Sequence, residues 1–142
     1  MSERSDQGIR ALTRRRRESP NGAGHYHISD LYKNRVSVSI QGIEVASSCS
    51  TVILKEVGKS VYNPVFYFPK ADVNLNLLEA VTGYSTFCPI KGDASYWNFI
   101  GGTNAIEKAA WSYETPLEYS GMIEEHLGFD QRYATIQIHP SS

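Results

Sequence analysis

The sequence has few of the residues that build metal and disulfide frameworks. Its 142 residues include only two cysteines, Cys49 and Cys88, and four histidines scattered along the chain. Two cysteines are too few for a disulfide scaffold or a four-thiolate zinc site, and separated histidines do not make a ligand set. We therefore expect no metal site, and the sequence leaves the identity of any cofactor unknown.

Long apolar runs and the motifs of common enzyme classes are also absent. No stretch approaches the roughly 18 apolar residues of a transmembrane helix. No export signal is recognisable, so a cytoplasmic location is the expectation. The chain has no glycine-rich phosphate loop, no Cys-x-x-Cys, no His-Glu-x-x-His and no Gly-x-Ser-x-Gly. These motifs are the usual signatures of nucleotide hydrolases, thiol oxidoreductases, zinc proteases and serine hydrolases, so the sequence indicates none of these classes.

Charge is distributed unevenly along the chain. Residues 1–24 carry six Arg and no Lys against three acidic residues, whereas the remaining chain carries eight basic and twelve acidic residues. The acidic remainder argues against a broad nucleic-acid-binding surface. Residues 1–27 have hardly any apolar side chains and are predicted to form a disordered tail. Within it, Arg14–Arg17 either stay solvated or contact nucleic acid or a membrane.

Alternating apolar and polar residues predict β-strands from about residue 31 onward. The stretch RVSVSI places Val36, Val38 and Ile40 on one face, and Gln41 and Gly42 follow as a turn. Further short strands recur about every 8–12 residues, and they do not alternate with the roughly 10–15-residue helices of an α/β sheet. We therefore predict that residues 28–142 form one mainly β domain, a small barrel or sandwich with a short helix near residues 72–80.

The twelve residues TFCPIKGDASYW (86–97) combine reactive and aromatic side chains around a turn. Pro89 and Gly92 predict the turn, which brings Cys88 and Lys91 close together. An ammonium group beside a thiol favours the thiolate, which makes Cys88 a candidate nucleophile and Lys91 a candidate base or anion-binding group. In the alternative, structural interpretation, Cys88 is a small buried apolar residue and Lys91 stays in water.

A second cluster, WSYETP (111–116), supplies further aromatic side chains. Trp111 and Tyr113 are two residues apart and share one face of a predicted strand, while Glu114 points to the other face. Tyr96 offers the same combination of a flat ring and a polar tip. These rings either stack against a planar ligand or fill the core, and the sequence leaves both interpretations open.

The two clusters together resemble the bacterial family called domain of unknown function 427. The family pattern runs Thr-x-Cys-Pro-x-Lys-Gly-x-Ala-x-Tyr, then a gap, then Trp-x-Tyr-x-x-Pro. The chain has every fixed position of this pattern: Thr86, Cys88, Pro89, Lys91, Gly92, Ala94, Tyr96, Trp111, Tyr113 and Pro116. Six upstream positions also match: Glu56, Tyr67, Phe68, Pro69, Asp72 and Val73.

The resemblance implies a β-tent-like fold, which is a pseudo-barrel of two short antiparallel sheets. The one short helix predicted near residues 72–80 would belong to it. It also implies a small-molecule site that takes an anionic or planar ligand, with catalysis left open. The catalytic candidates are Cys88 and Lys91. The ligand-binding candidates are Glu56, Tyr67, Tyr96, Trp111 and Tyr113. The family also carries a nucleotidyltransferase-like label, so group transfer is the second hypothesis, and a protein-interaction module without chemistry is the third.

Overall fold

The computed structural model describes residues 15–18, 26–58 and 60–140, and most of them lie in β-strands. The strands of this described part are β1 (Arg15–Glu18), β2 (Tyr26–Tyr32), β3 (Arg35–Ile40), β4 (Ile43–Ser48), β5 (Thr51–Val57), β6 (Val65–Pro69), β7 (Leu78–Cys88), β8 (Gly92–Phe99), β9 (Ile106–Ser112), β10 (His126–Phe129) and β11 (Ala134–His139). Short 3₁₀ segments span Lys70–Asp72, Leu75–Leu77 and Glu118–Ile123.

The strands form two antiparallel sheets. The larger sheet has the strand order β1-β2-β5-β6-β10-β9-β8-β7, and the smaller one has the order β11-β3-β4. Within the described residues the two sheets do not close into a barrel. The prediction of a mainly β fold built from two antiparallel sheets is therefore confirmed.

The small sheet packs on one face of the large sheet and forms the main core with it. Val36, Val38 and Ile40 are fully buried there, as the alternation in RVSVSI predicts. The large sheet contributes Phe68 and Phe129, whose ring centroids lie 5.6 Å apart in an edge-to-face arrangement. Burial of each such side chain stabilises the fold by roughly 1.5–3 kcal/mol.

The short helix expected near residues 72–80 takes the form of two 3₁₀ turns followed directly by β7. Val73, between the two turns, forms an isolated bridge with Ala46 of β4. The Asn74 side chain accepts the backbone N–H of Asn76 and caps the second turn. The prediction of a short helix rests on apolar residues at positions 73, 77, 78 and 81. Of these, Val73 and Leu78 are buried in the main core, so the pattern reflects the packing of a tight connection. No helix of seven or more residues occurs in the described part of the chain.

The first described residues belong to the edge of the large sheet. The tail predicted for residues 1–27 falls mostly on residues 1–14 and 19–25, which lie outside the described part of the chain. Its described residues are 15–18, in β1, and Tyr26 and His27, in β2. The boundary placed after residue 27 thus falls inside β2. No helical segment among the described residues is long and apolar enough to cross a membrane.

A second apolar cluster lies on the face of the large sheet that points away from the small sheet. Neighbouring residues of a strand point to opposite faces, so Phe68 enters the main core while Tyr67 enters this second cluster. Its buried members are Val52, Leu54, Tyr67, Ala94, Tyr113 and Ile123. This second face holds the residues that the sequence singles out.

Candidate functional site

The stretch CPIKG forms the turn of the β7–β8 hairpin, and the turn points into the protein. Cys88 and Gly92 pair across the hairpin, and Gly92 has a φ of +102°, which favours glycine. Ile90 and Lys91 are both buried in this turn. The backbone N–H of Leu117 donates to the Lys91 carbonyl at 3.0 Å. The structural interpretation that left Lys91 in water is therefore wrong.

Lys91 forms an ion pair with Glu56 near the end of β5. Its Nζ atom donates to Glu56 Oε1 at 2.5 Å, and both side chains are almost buried. The Cys88 thiol donates to the other carboxylate oxygen, Oε2, at 3.8 Å. One carboxylate thus joins the two residues predicted as catalytic, and β5 meets the β7–β8 turn at this point.

Burial opposes the charged form of Lys91 and by itself would lower its pKa. Tyr67, Tyr113 and Glu56 all carry negative charge when ionised, and together they raise the pKa of Lys91 above its ordinary value. Lys91 is therefore an ammonium ion at neutral pH. In this state it is a hydrogen-bond donor and a positive charge.

Two buried tyrosines complete the surroundings of the Lys91 ammonium. The Tyr113 ring centroid lies 5.4 Å from Lys91 Nζ, within the range of a cation–π contact. The Tyr67 hydroxyl accepts the indole N–H of Trp111 at 3.1 Å. Burial raises the pKa of Tyr67, although Lys91 and Trp111 favour the phenolate, and burial also raises the pKa of Tyr113. Both hydroxyls therefore stay protonated at neutral pH.

Half-buried side chains surround this buried centre. Cys88, Tyr96 and Trp111 are partly exposed and pack against the second apolar cluster. The Tyr96 hydroxyl and the Thr86 hydroxyl form a 2.7 Å hydrogen bond across the β7–β8 hairpin. The structure thus brings all seven sequence-predicted site residues to one face of the large sheet, with Tyr67, Lys91 and Tyr113 deeper than the others.

Two residues that the sequence analysis missed, His27 and Ser120, lie beside this site. His27 is fully buried, and its Nε2 atom lies 3.1 Å from Ser120 Oγ. The Ser120 hydroxyl donates to the Ile90 carbonyl at 2.6 Å, and His27 pairs directly opposite Glu56 across β2 and β5. No sequence signal marked them, because His27 follows a stretch poor in apolar residues and Ser120 lies in a short 3₁₀ segment.

A separate polar network lies on the opposite face of the sheet, where Glu114 was expected to point. Lys70 Nζ lies 2.6 Å from Glu114 Oε1. The Ser112 hydroxyl also donates to the Glu114 carboxylate and accepts the indole N–H of Trp97 at 3.0 Å. Partial burial alone would raise the pKa of Glu114, but hydrogen bonds from Lys70 and Ser112 outweigh it and lower the pKa.

No group of three or more His, Cys, Asp or Glu side chains converges as a metal-ligand set among the residues described. Both cysteines are free thiols, with Cys49 exposed and Cys88 half-buried. The polar centre of the second face is therefore an ion pair flanked by a thiol and two phenols.

Comparison with known proteins agrees with the motifs that this site contains. The search of curated proteins found no match. The family profile described as domain of unknown function (DUF427) matches residues 30–139. This range extends from β2 to the end of β11 and includes the seven candidate residues. The chain therefore belongs to the domain of unknown function 427 family.

Proposed function

We propose that the protein binds a small anionic or planar molecule on the second face of the large sheet. The observation that carries this proposal is the nearly buried Lys91–Glu56 ion pair, with the Cys88 thiol on the same carboxylate. Moving two charges out of water costs several kcal/mol per ion, and apolar replacements of such pairs are often neutral or stabilising. Clusters of perturbed ionisable groups are typical of functional sites.

The arrangement of buried and half-buried residues suggests how a ligand would bind. Tyr96 and Trp111 are half-buried and present ring surface for stacking against a planar group. Lys91 lies deeper, and its ammonium has three N–H donors, of which one contacts Glu56. An anionic group of the ligand would compete with Glu56 for the ammonium and fix the orientation of the ligand.

Cys88 and Lys91 are the proposed reactive pair. In the proposed step the Cys88 thiol releases its proton to solvent and gives up its 3.8 Å contact with Glu56 Oε2. The resulting thiolate would lie beside the Lys91 ammonium, and opposite charge nearby favours the thiolate form. Cys88 is then the nucleophile and Lys91 its electrostatic partner, while the Glu56 carboxylate opposes the thiolate as a like charge.

A thermal-shift screen against a metabolite library tests the proposal. A ligand at one hundred times its dissociation constant should stabilise the protein by about 2.7 kcal/mol. The stabilisation should be lost in Lys91→Met and in Tyr96→Leu, and kept in Lys55→Met, which removes an exposed lysine of β5. A nucleotide among the stabilising compounds would favour the group-transfer alternative. Compounds that stabilise all variants equally, or a screen without any stabilising compound, would contradict the proposal.

A further inference from the structure

We propose that His27 and Ser120 are positioning residues of this site, a role that rests on the proposed function. A hydrogen-bond relay runs from His27 Nε2 to Ser120 Oγ and from Ser120 Oγ to the Ile90 carbonyl, with distances of 3.1 and 2.6 Å. All three residues are fully buried. The relay therefore links β2 to the turn that carries Lys91, across 93 residues of sequence between its first two members.

The relay fixes the tautomer of His27. A serine hydroxyl has a single hydrogen, and the Ser120 hydrogen goes to the Ile90 carbonyl, which can only accept. Ser120 Oγ must therefore accept from the imidazole, so His27 Nε2 carries the hydrogen. This assignment follows from the direction of the two bonds and makes the whole relay run one way, from His27 towards the turn.

The relay closes a ring of contacts around the ion pair. Ile90 directly precedes Lys91, and His27 lies directly opposite Glu56 in the β2–β5 register. Lys91 and Glu56 are thus connected directly through their 2.5 Å contact and indirectly through Ile90, Ser120 and His27. The backbone N–H of Leu117 also donates a hydrogen bond to the backbone carbonyl of Lys91. Two consecutive carbonyls of the turn are therefore held by the segment 117–120.

Positioning of this kind has a physical purpose in a binding site. A lysine side chain has four rotatable bonds and loses about 2 kcal/mol of rotamer entropy when it is fixed. A turn held at two carbonyls presents Lys91 in one place, so that less ordering remains when a ligand binds. His27 and Ser120 do not touch the ammonium group; they act on it through the backbone of Ile90.

The test measures the alkylation rate of Cys88 by iodoacetamide in a Cys49→Ser background. Ser120→Ala and His27→Leu break the relay and should change the rate in the same direction as Lys91→Met. Ser120→Thr keeps the hydroxyl, and His27→Gln keeps an N–H donor near the Nε2 position, so both should restore the wild-type rate. Ser29→Ala is the matched control, because it removes another buried serine hydroxyl, which lies in β2.

Two measurements on the full-length protein accompany the alkylation series. Long-range proton–nitrogen correlation spectra should show His27 as the Nε2–H tautomer. Amide exchange of Leu117 should accelerate in Ser120→Ala and stay unchanged in Ser29→Ala. The Nδ1–H tautomer in the wild type would overturn the proposal, and this holds even if Ser120→Ala and His27→Leu fail to fold.

The outcomes separate this proposal from the proposed function. If Lys91→Met changes the alkylation rate and Ser120→Ala does not, the positioning role is wrong and the proposed site stands. If neither variant changes it while the tautomer and the Leu117 exchange are as expected, the reactive role of Cys88 and Lys91 is wrong, and ligand binding alone remains of the proposed function. The relay is then a structural clamp alone, and the positioning role falls with the reactive role.

Discussion

The ammonium nitrogen of Lys91 lies 2.5 Å from Oε1 of Glu56, and the two side chains are only 9% and 12% exposed. Removing one partner leaves the other charge buried without its counter-ion, which costs about 3–5 kcal/mol. We expect Lys91→Met and Glu56→Gln each to lower the free energy of unfolding by this amount in chemical denaturation. Lys55→Met, on the exposed side of β5, should change it by less than about 0.5 kcal/mol.

The double variant Lys91→Met/Glu56→Gln sharpens this prediction. Because it removes both charges, it should cost clearly less than the sum of the two single changes, as contacting residues are not additive. Additive losses would mean that the two side chains contribute independently and that the ion pair does not couple β5 to the β7–β8 turn.

Alkylation of Cys88 should respond to the two charges with opposite signs. Lys91→Met leaves the Glu56 carboxylate alone beside the thiol, and a like charge disfavours the thiolate. Glu56→Gln leaves only the Lys91 ammonium beside the thiol, and this positive charge favours the thiolate. At neutral pH and in a Cys49→Ser background, we expect iodoacetamide to react several-fold more slowly with Lys91→Met and several-fold faster with Glu56→Gln.

The sign of the two effects separates electrostatics from accessibility. If the variants merely opened the hairpin turn, both would react faster than the wild type. Denatured protein provides the upper reference for an accessible thiol. A wild-type Cys88 that is inert at every pH would remove the nucleophile from the proposed function and leave ligand binding alone.

Tyr67 and Tyr113 should be among the last tyrosines to ionise in the folded protein. Burial raises the pKa of both hydroxyls, so folding favours their protonated form. This contribution to stability is fully present below the ordinary pKa of 10.0 and is lost as the pH rises through the folded-state pKa. In a spectrophotometric titration, Tyr67→Phe and Tyr113→Phe should each lose part of the absorbance change at high pH, and Tyr62→Phe, which removes an exposed ring, should keep all of it.

The sequence contained enough information for the strands and for most of the site. Val36, Val38 and Ile40 alternate because one face of β3 is buried, and that periodicity survives in any half-buried strand. The CPIKG turn was recognisable from Pro89 and Gly92, whose backbone preferences are local. A local signal of this kind requires no knowledge of the tertiary structure.

The environment of Lys91 could not be predicted in the same way. A lysine in a turn is usually solvated, and its burial here depends on Glu56, 35 residues earlier, and on the segment that follows Leu117. His27 and Ser120 are 93 residues apart and meet only because β2 pairs with β5 in the large sheet. The apolar pattern at positions 73, 77, 78 and 81 misled for the same reason, because tertiary packing and not helical periodicity placed Val73 and Leu78 in the core.

The Lys70–Glu114 pair on the other face provides a pH-dependent test that is independent of the site. The pKa of Glu114 is lowered in the folded protein, so the stability it contributes is present above its ordinary value of 4.5 and is lost as the pH falls through the folded-state pKa. Because the Glu114 side chain is 38% exposed, solvent screening limits the effect to about 1 kcal/mol or less.

Wild type and Glu114→Gln should therefore differ in stability near pH 7 and converge as the pH falls below 4.5. Gln keeps an acceptor for the Ser112 hydroxyl, so the comparison isolates the charge. In a Lys70→Met background the same substitution should have a smaller effect near pH 7, since the ammonium that lowers the pKa is gone. Urea denaturation across this pH range measures the difference. A difference that persists unchanged at pH values well below 4.5 would show that Glu114 acts through packing, and that its ion pair with Lys70 does not stabilise the fold.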